Sequence, residues 1–403
     1  EQAAVDIVRD VEKNGETALL KYSVRFGDLP SESTPYLLRN GPNVEKNELK
    51  AAYDRISDET RSLLNRSAQR VREFAQGQKD SLKQFNMDIQ GGKAGHTVRA
   101  VKNAGCYAPG GRYPLPSSVL MTVIPARVAG CETVVVASPR PTDETLAAAY
   151  VAGADYVLTI GGAQAIAAMA YGVGNIPECD IVVGPGNAFV TAAKKTVFGK
   201  VGIDMLAGPS EVLVLADEFA KPDIVAADLI AQAEHDTAAS SVLISTSLEL
   251  IEKVEKELFK QLSVLSTADV ARASLVKNGF AVCVKDLEEG IKVCDMLAPE
   301  HLEVHTANPQ DVANKLKAYG AVFIGEQCAE VTGDYASGPN HTLPTSGTAR
   351  FSGGLSVLTF LCVRTYMSFN DAVKSRPLIE DAVAFAKIEG LAGHGAAAKI
   401  RLP

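Results

Sequence analysis

Short apolar runs alternate regularly with alanine-rich helical segments in the middle of the chain, and this alternation restricts the possible folds most strongly. The run Thr133–Ala137 is rich in β-branched residues, a helical segment follows it through Ala152, and a second apolar run covers 155–160. Short connections between such runs are typical of parallel strands joined by helices that cover both faces of the sheet. The sequence therefore predicts an α/β fold built on a parallel sheet.

The same alternation continues to residue 197 and then begins a second time. Strands are expected at 180–183, 211–216, 241–245, 281–284, 302–305 and 321–324, and helices at 163–171, 188–197, 222–233 and 248–262. Each round is long enough for a separate parallel sheet with its own helices. We therefore predict two tandem Rossmann-like units, the first spanning 106–210 and the second spanning 211–352, joined near Pro209.

The two ends of the chain differ from these units. Residues 1–105 show mainly helical periodicity with many charges, and we expect this helical N-terminal segment to pack against the second α/β unit. The pattern weakens from residue 353 onward, so 353–403 is expected to form a small C-terminal appendage. The predicted fold class is α/β, with two tandem Rossmann-like parallel-sheet units between these end segments.

Charge and composition argue against several kinds of partner. The 403 residues are 46% hydrophobic and carry a formal net charge of −8, which disfavours nucleic acids and anionic membranes. No apolar run approaches the roughly 20 residues needed to span a bilayer. Seven scattered cysteines without a C-x-x-C pair favour a reducing compartment. We expect a cytoplasmic location, although the chain starts at Glu1 and an organellar targeting segment could have been removed.

Glycine-rich loops follow two strands of the first predicted unit. Residues 161–165 (GGAQA) and 184–188 (GPGNA) each end a strand and open a helix. Open α/β folds bind nucleotides at this carboxyl edge, where helix N-termini favour phosphate. Neither loop is a complete G-x-G-x-x-G, so a tight turn without a ligand is the alternative. A third loop at 106–112 adds Tyr107, an aromatic side chain that could cover a base or nicotinamide.

A polar segment at 333–345 contains an acid and a histidine and lacks hydrophobic periodicity, as is typical of residues that contact solvent or a ligand. Gln232 and His235 are spaced i, i+3 near the end of a predicted helix and therefore share one face. A histidine with oxygen ligands suits zinc, and Asp334 and His394 are the obvious additional ligands. The alternatives are a histidine that faces a helix dipole and an exposed histidine in the tail.

Glu300 and His301 form an adjacent acid–base pair in a loop before a predicted strand. Histidine is the usual general base near neutral pH, and a glutamate can activate water. Adjacent side chains point to opposite faces in a strand, so both can reach one substrate only from a loop. The alternative is that Glu300 caps a turn and His301 faces solvent.

Six segments resemble the histidinol dehydrogenase family, in an order and spacing that agree with it over nearly the whole chain. They are GGAQAIA at 161–167, GPGNAFV at 184–190, AGPSEV at 207–212, QAEH at 232–235, APEHL at 298–302 and GDYASGPNHTLP at 333–344. Members of this family are zinc-dependent homodimers that oxidise L-histidinol to L-histidine with two NAD⁺, in the last steps of histidine biosynthesis. The resemblance therefore implies one zinc ion per subunit, NAD and a homodimer with shared active sites.

The resemblance also implies roles for individual residues. Zinc ligands would be Gln232, His235, Asp334 and His394, the last from the other subunit. Contacts to NAD would come from Tyr107, Gln164 and Asn187. Contacts to substrate would come from Ser210, His341 and Glu389, the last across the dimer, together with His301 and the four zinc ligands. Glu300 and His301 would be the catalytic pair: His301 takes the hydroxyl proton during the first hydride transfer, and Glu300 activates water before the second.

The substrate and the class of reaction have alternatives. Residues 363–375 depart from the family's usual sequence and lead into the segment that carries Glu389 and His394. A paralogue could keep zinc, NAD and the Glu–His pair but oxidise another small polar alcohol, such as a sulfonated propanediol. A zinc hydrolase is disfavoured because it leaves the 184–187 loop without a role. A catalytically inactive binding protein is disfavoured because every proposed position holds a competent residue.

Overall fold

A computed structural model describes residues 1–41, 44–110, 114–335 and 337–402. Its strands are β1 (Leu37–Arg39), β2 (Phe85–Ile89), β3 (Gly92–Ala100), β4 (Asn103–Tyr107), β5 (Thr133–Ala137), β6 (Tyr156–Leu158), β7 (Ile181–Val183), β8 (Gly202–Ile203), β9 (Glu211–Ala216), β10 (Ser240–Ser245), β11 (Phe280–Cys283), β12 (His301–His305), β13 (Ala321–Ile324) and β14 (Leu361–Phe369). Its helices are α1 (Gln2–Arg25), α2 (Glu48–Arg55), α3 (Asp58–Ser81), α4 (Pro116–Ala129), α5 (Asp143–Ala152), α6 (Gly162–Tyr171), α7 (Ala188–Val197), α8 (Pro222–Ala233), α9 (Leu248–Leu262), α10 (Ala268–Asn278), α11 (Leu287–Leu297), α12 (Pro309–Ala313), α13 (Glu330–Tyr335), α14 (Ala372–Ile388) and α15 (Ala392–Lys399).

Two mainly parallel sheets confirm the predicted α/β class. The first sheet has the order β1-β6-β5-β4-β7-β8, in which only β1 runs antiparallel to its neighbour, and the second has the order β11-β10-β9-β12-β13. Val134 and Val136 of β5 pack in one core cluster, and Val135 and Ala137 pack in another. Side chains alternate between the two faces of a strand, so these two clusters show that both faces of the sheet are buried. Burial on both faces explains why the strand is a continuous apolar run.

The N-terminal helices pack on the first α/β unit, so the prediction that 1–105 packs with the second unit is wrong. Helix α1 packs against α6 and α7, α2 against α5, and α3 against α4. The buried face of α1 includes Leu19, which shares a core cluster with Ile166 of α6. An apolar stripe shows that a helix is buried but does not identify the partner.

A third sheet joins the two ends of the chain. It is antiparallel with the order β14-β3-β2, and Leu361–Phe369 pairs with Gly92–Ala100 along its whole length. The N-terminal segment is therefore not entirely helical, because Phe85–Ile89 and Gly92–Ala100 form a hairpin. The appendage that begins at 353 consequently supplies one strand to this sheet and the helices α14 and α15, which pack on each other.

Large apolar side chains remain exposed on the third sheet and on the two C-terminal helices. They are Phe85, Met87, Val363, Tyr366, Met367, Phe369, Val373, Phe385, Ile388, Leu391 and Ile400. Among the described residues, no helix is both long enough and apolar enough to cross a bilayer. An exposed apolar surface of this extent is typical of a protein–protein contact.

Candidate active site

The acid–base pair lies buried at the amino edge of the second sheet. Glu300 directly precedes β12 and His301 is its first residue, beside the start of β9. The backbone N–H of Glu211 donates to Oε2 of Glu300 over 2.9 Å, and this oxygen lies 3.9 Å from Nδ1 of His301. Both side chains therefore lie on the same side of the strand end, which a regular strand would prevent.

One backbone carbonyl determines the tautomer of His301. Its Nδ1 lies 2.9 Å from the backbone oxygen of Glu211, which can only accept a hydrogen bond. Nδ1 therefore carries the proton, and Nε2 is the basic nitrogen of the neutral ring. Nε2 is buried and has no hydrogen-bond partner among the described residues. Burial lowers the pKa of His301, which keeps the ring neutral near pH 7.

The environment of Glu300 also disfavours its charged form. Burial raises the pKa of this carboxyl well above its ordinary value, against the hydrogen bond from Glu211. The backbone oxygen of Glu300 lies so close to Gly320 that a Cβ atom at position 320 would be only 2.5 Å from it. Glycine at this position therefore lets the chain entering β13 approach the acid closely.

Three of the four predicted zinc ligands lie near one another. Gln232 is fully buried in the last turn of α8, and His235 follows the helix with a side chain that is 40% exposed. Nε2 of His235 lies 3.9 Å from Oδ2 of Asp334, and ligand atoms of these two residues and Glu330 all lie within 4.8 Å of one another. A nitrogen and oxygen donor set without thiolate fits zinc. Gln232 adjoins this group through Glu330.

The structure does not bring the other predicted ligand into this group. His394 on α15 and Glu389 at the end of α14 are both exposed, and α15 packs against α14. His394 is not part of the ligand group around Asp334. The assignment of both residues to the site of a second subunit stays a prediction.

The polar segment predicted to contact a ligand lies in the second α/β unit, and two hydrogen bonds hold it against the first unit. Nδ2 of Asn340 donates to the backbone oxygen of Met121 over 2.6 Å, and Oγ1 of Thr345 accepts from the N–H of Gly208 over 2.6 Å. Between these anchors, Nε2 of His341 is buried without a partner among the described residues. The Gly208 anchor also lies two positions before Ser210, which directly precedes β9.

The predicted NAD residues lie at the carboxyl edge of the first sheet. Tyr107 ends β4, and its hydroxyl accepts a hydrogen bond from the N–H of Gly162 over 3.1 Å. Burial raises the pKa of Tyr107 to about 12, so the phenol stays neutral. Gln164 in the first turn of α6 has a buried Oε1 that lacks a partner among the described residues. Asn187 is exposed and caps α7, accepting from the N–H groups of Phe189 and Val190.

A buried ion pair fixes the loop before α7. The Lys194 ammonium contacts Asp204 and also donates to the backbone oxygen of Gly184 over 2.9 Å. Asp204 accepts in turn from the N–H of Gly184 over 2.7 Å. Gly184 has a φ of +113°, and a Cβ there would lie 2.1 Å from the backbone oxygen of Tyr107. Only glycine fits this approach, which places the loop beside the end of β4.

Sequence reasoning missed several residues of the site. Glu330 lies one helical turn before Asp334, a spacing that could have indicated it. Asp28 accepts from the N–H of Gly161 over 2.9 Å and lies 3.4 Å from Nε2 of Gln164. No motif marks Asp28, because it lies in a loop far away in the sequence.

A second cluster of buried polar side chains lies next to the candidate metal ligands. Nε2 of His305 is 3.5 Å from Oε2 of Glu303 and 3.8 Å from Oδ2 of Asp228. These three atoms lack hydrogen-bond partners among the described residues. Glu303 also accepts from the N–H of Glu330 over 2.8 Å, which connects this group to the candidate metal ligands.

A solved histidinol dehydrogenase shares the whole architecture. The crystal structure of that enzyme from Elizabethkingia anophelis matches 100% of this chain and 92% of its own with a TM-score of 0.92 and 32% sequence identity. An apo betaine aldehyde dehydrogenase from Staphylococcus aureus matches 91% of this chain and 82% of its own with a TM-score of 0.52 and 12% identity, which shows a shared fold alone.

Sequence relatives cover the chain to the same extent. The family model described as histidinol dehydrogenase matches residues 1–402. The histidinol dehydrogenase of Geobacter sulfurreducens is 42% identical over 100% of this chain and 93% of its own, and that of Methanocaldococcus jannaschii is 41% identical over 99% and 91%. Fold, site and relatives together define the chain as an oxidoreductase. It belongs to the histidinol dehydrogenase family, as the sequence resemblance predicted.

Proposed function

We propose that the chain oxidises L-histidinol to L-histidine through bound L-histidinaldehyde, with zinc and two NAD⁺, in the final steps of histidine biosynthesis. The juxtaposition of an unpartnered imidazole nitrogen and a set of metal-ligating side chains supports this function best. Nδ1 of His301 lies 3.1 Å from the amide of Gln232, so the candidate base adjoins the candidate ligand group. A base and a Lewis acid beside one hydroxyl group are the requirements of alcohol oxidation.

Gln232, His235 and Asp334 would hold the zinc ion together with His394 of a second subunit. When bound, the ion would hold the amine and imidazole nitrogens of the substrate and so position it for hydride transfer. Ser210, His341 and Glu389 of the second subunit would contact the rest of the substrate. The buried, unpartnered Nε2 of His341 supports this assignment, because such a nitrogen is satisfied by a polar ligand.

His301 would remove the hydroxyl proton through Nε2 while a hydride passes to NAD⁺ from the carbon that bears this hydroxyl group. The hydrogen bond from Nδ1–H to the carbonyl of Glu211 keeps the ring in the tautomer that this step needs. The first step then gives the aldehyde, NADH and protonated His301. The aldehyde stays bound, and the proton must leave before the second oxidation.

Glu300 would act in the second half of the reaction. It would take a proton from water as the water oxygen attacks the aldehyde carbon, and protonated His301 would give its proton to the aldehyde oxygen, which gives the hydrate. The hydrate then loses a hydride to the second NAD⁺ and a proton to His301, which leaves the carboxylic acid. A carboxyl whose pKa is raised by burial is a stronger base than an ordinary carboxylate, so its environment suits this role.

The first unit, 106–210, would bind NAD through Tyr107, Gln164 and Asn187. Gln164 supports this assignment because its Oε1 is buried without a partner among the described residues. Helices α6 and α7 both begin at this edge, where their N-termini favour a negatively charged group. The second unit, 211–352, would carry the zinc ligands and the acid–base pair.

Residues 353–403 would complete the active site of a homodimer partner. The exposed apolar side chains of the third sheet and of α14 and α15 support such a contact, since a stable dimer buries a surface of this kind. A cytoplasmic location, without nucleic-acid or membrane partners, stays a prediction.

Counting NADH formed per histidinol consumed tests the function. We expect two NADH per L-histidinol, loss of turnover with a zinc chelator and recovery when zinc is added back. Zinc and NAD⁺ binding without turnover of histidinol would contradict the substrate. A panel of amino alcohols and sulfonated diols would then identify a paralogous dehydrogenase of another small polar alcohol.

A further inference from the structure

Glu330 lies where the candidate metal ligands meet the candidate base. It begins α13, its side chain is 2% exposed, and its Oε1 lies 3.5 Å from Nδ1 of His301. It also shares a ligand group with His235 and Asp334. Such complete burial of a carboxyl between functional side chains is costly unless its oxygens are used.

The neighbours of Gln232 determine which way its amide faces. One end of the amide lies 3.1 Å from Oε1 of Glu330, 3.2 Å from the backbone oxygen of Glu211 and 3.1 Å from Nδ1 of His301. The two oxygens accept hydrogen bonds, and the Nδ1–H of His301 is already donated to the carbonyl of Glu211. We therefore assign this end as the NH₂ group, whose two hydrogens satisfy one oxygen each. The amide oxygen therefore points away from both acceptors, which is the orientation that a metal ligand requires.

A residue of the second sheet holds the backbone of Glu330 in place. The backbone N–H of Glu330 donates to Oε1 of Glu303 over 2.8 Å, and Glu303 is completely buried on β12. Strand β12 thus fixes the start of α13 and, with it, the acceptor that faces Gln232. Side chains behind metal ligands commonly orient the ligands in this way.

We propose that Glu330 is a positioning residue that holds the NH₂ of Gln232 so that the amide oxygen faces the metal ion. This inference rests on the zinc site of the proposed function and concerns Glu330 alone. It requires an acceptor at the correct distance from the amide, whereas the negative charge of Glu330 is not essential. If Glu330 acted only through its charge, the negative charge would be essential and the distance of the acceptor from the amide would not.

Two substitutions separate distance from charge. Glu330→Asp keeps the charge but withdraws the acceptor by one methylene, and Glu330→Gln keeps the reach without the charge. The zinc dissociation constant of the full-length protein is measured by competition with a chromogenic chelator, without substrate or NAD⁺. We expect Glu330→Asp to weaken zinc binding about 10–100-fold, the range typical of such partners. Glu330→Gln should stay within about threefold of the wild type, because the amide oxygen of Gln replaces the acceptor.

A double-mutant cycle tests whether the effect passes through Gln232. In a Gln232→Ala background, Glu330→Asp should change zinc affinity by less than about threefold, because nothing remains to be positioned. An equal loss in both backgrounds would overturn the inference, as would weakened binding by Glu330→Gln with normal binding by Glu330→Asp. If the wild-type protein itself bound no zinc, the proposed metal site and the inference would both fail. Normal wild-type affinity with an additive cycle would reject the inference alone.

Discussion

At the scale of single residues, hydrogen bonds to the backbone prepare the side chains for their chemistry. The carbonyl and the N–H of Glu211 contact His301 and Glu300 respectively, so the backbone of one residue at the start of β9 serves both candidate catalytic residues. The carbonyl selects the tautomer of the imidazole, and the N–H orients the carboxyl. The identity of the side chain at 211 has little influence on these two contacts, because the backbone makes them.

Replacing His301 with Asn should reduce turnover while leaving zinc binding intact. The Asn amide can still donate to the carbonyl of Glu211 but provides no basic nitrogen at the position of Nε2. We expect kcat to fall about 10²–10⁴-fold, the usual contribution of a general base. Zinc content measured by atomic emission should stay near that of the wild type. His96→Asn is a matched control, because His96 lies on β3 of the third sheet.

A loss of zinc in the His301→Asn protein would contradict this assignment and would place His301 among the metal ligands. Unchanged turnover would show that another group removes the hydroxyl proton.

At the scale of elements, short polar anchors at helix and strand ends determine where the site residues lie. The Lys194–Asp204 pair holds both backbone groups of Gly184 and thereby fixes the loop that leads to Asn187. On α8, Asp228 precedes Gln232 by one turn, so the helix face that presents this candidate metal ligand also carries the buried group around His305.

Replacing Lys194 with Met should destabilise the first unit. The two side chains are 2% and 0% exposed, so the substitution leaves the charge of Asp204 buried without a partner. Breaking a buried pair in this way typically costs about 3–5 kcal/mol. Urea denaturation followed by circular dichroism measures this loss. The double substitution Lys194→Met with Asp204→Leu removes both charges and should recover part of the stability. An equal or larger loss in the double variant would contradict the argument.

The titration of Asp228 should make stability depend on pH. Burial, followed by the nearby carboxylate of Glu303, raises the pKa of Asp228 to about 8 from an ordinary value of 3.8. The folded protein therefore keeps a proton that the unfolded chain releases near pH 4, and the free energy of unfolding should fall as pH rises from about 4 to about 8.

Asp228→Asn removes this titration, so the decrease in unfolding free energy between pH 5 and pH 8 should be smaller than in the wild type. Urea denaturation of both proteins at the two pH values, with a chelator present, provides the comparison. An identical decrease in both proteins would show that Asp228 titrates normally.

At the scale of the whole molecule, the predicted NAD residues lie at the carboxyl edge of the first sheet, whereas the acid–base pair lies at the amino edge of the second. The segment around His341 belongs to the second unit and is hydrogen-bonded to the first unit through Asn340 and Thr345. The proposed reaction requires hydride to pass from a substrate on one unit to a cofactor on the other, so neither unit alone provides a complete site. The proposed dimer adds a third contribution, from the C-terminal helices of a partner.

Mixing two inactive variants should restore activity if subunits share their sites. His394→Ala removes the ligand given to the partner, and Gln232→Ala removes a ligand of the subunit's own site. A mixed dimer then contains one complete site, so a statistical mixture should recover roughly a quarter of wild-type activity. The variants are unfolded, mixed and refolded, and NADH formation is measured. Absence of recovery, despite dimers shown by light scattering, would indicate sites built within one chain.

Local patterns in the sequence predicted the parallel strands and their helices well. The run Thr133–Ala137 and the helix Ala188–Val197 occur as expected, because a fully buried strand and a capped helix both leave clear local signals. Motifs likewise identified Gln232, His235 and Asp334, which the structure brings near one another.

Contacts between distant segments could not be predicted in the same way. The apolar stripe of α1 gave no information about the element it packs against. Glu303 lies inside a predicted strand, where nothing in the alternation of side chains distinguishes a functional acid from an exposed polar residue. Asp28 contributes to the site only because the loop after α1 folds back onto the start of α6. Such residues carry no local signal, since their environment is created by the tertiary fold.

The third sheet has a consequence for the synthesis of the chain on the ribosome. Thr97 and Arg364 are paired neighbours in this sheet although 267 residues separate them. At the usual rates of translation, the hairpin of β2 and β3 waits on the order of ten seconds to a minute for its third strand. During this time Phe85 and Met87 lie on a hairpin with an unpaired edge, a form that favours aggregation. The nascent chain therefore exposes an aggregation-prone strand edge until β14 has emerged.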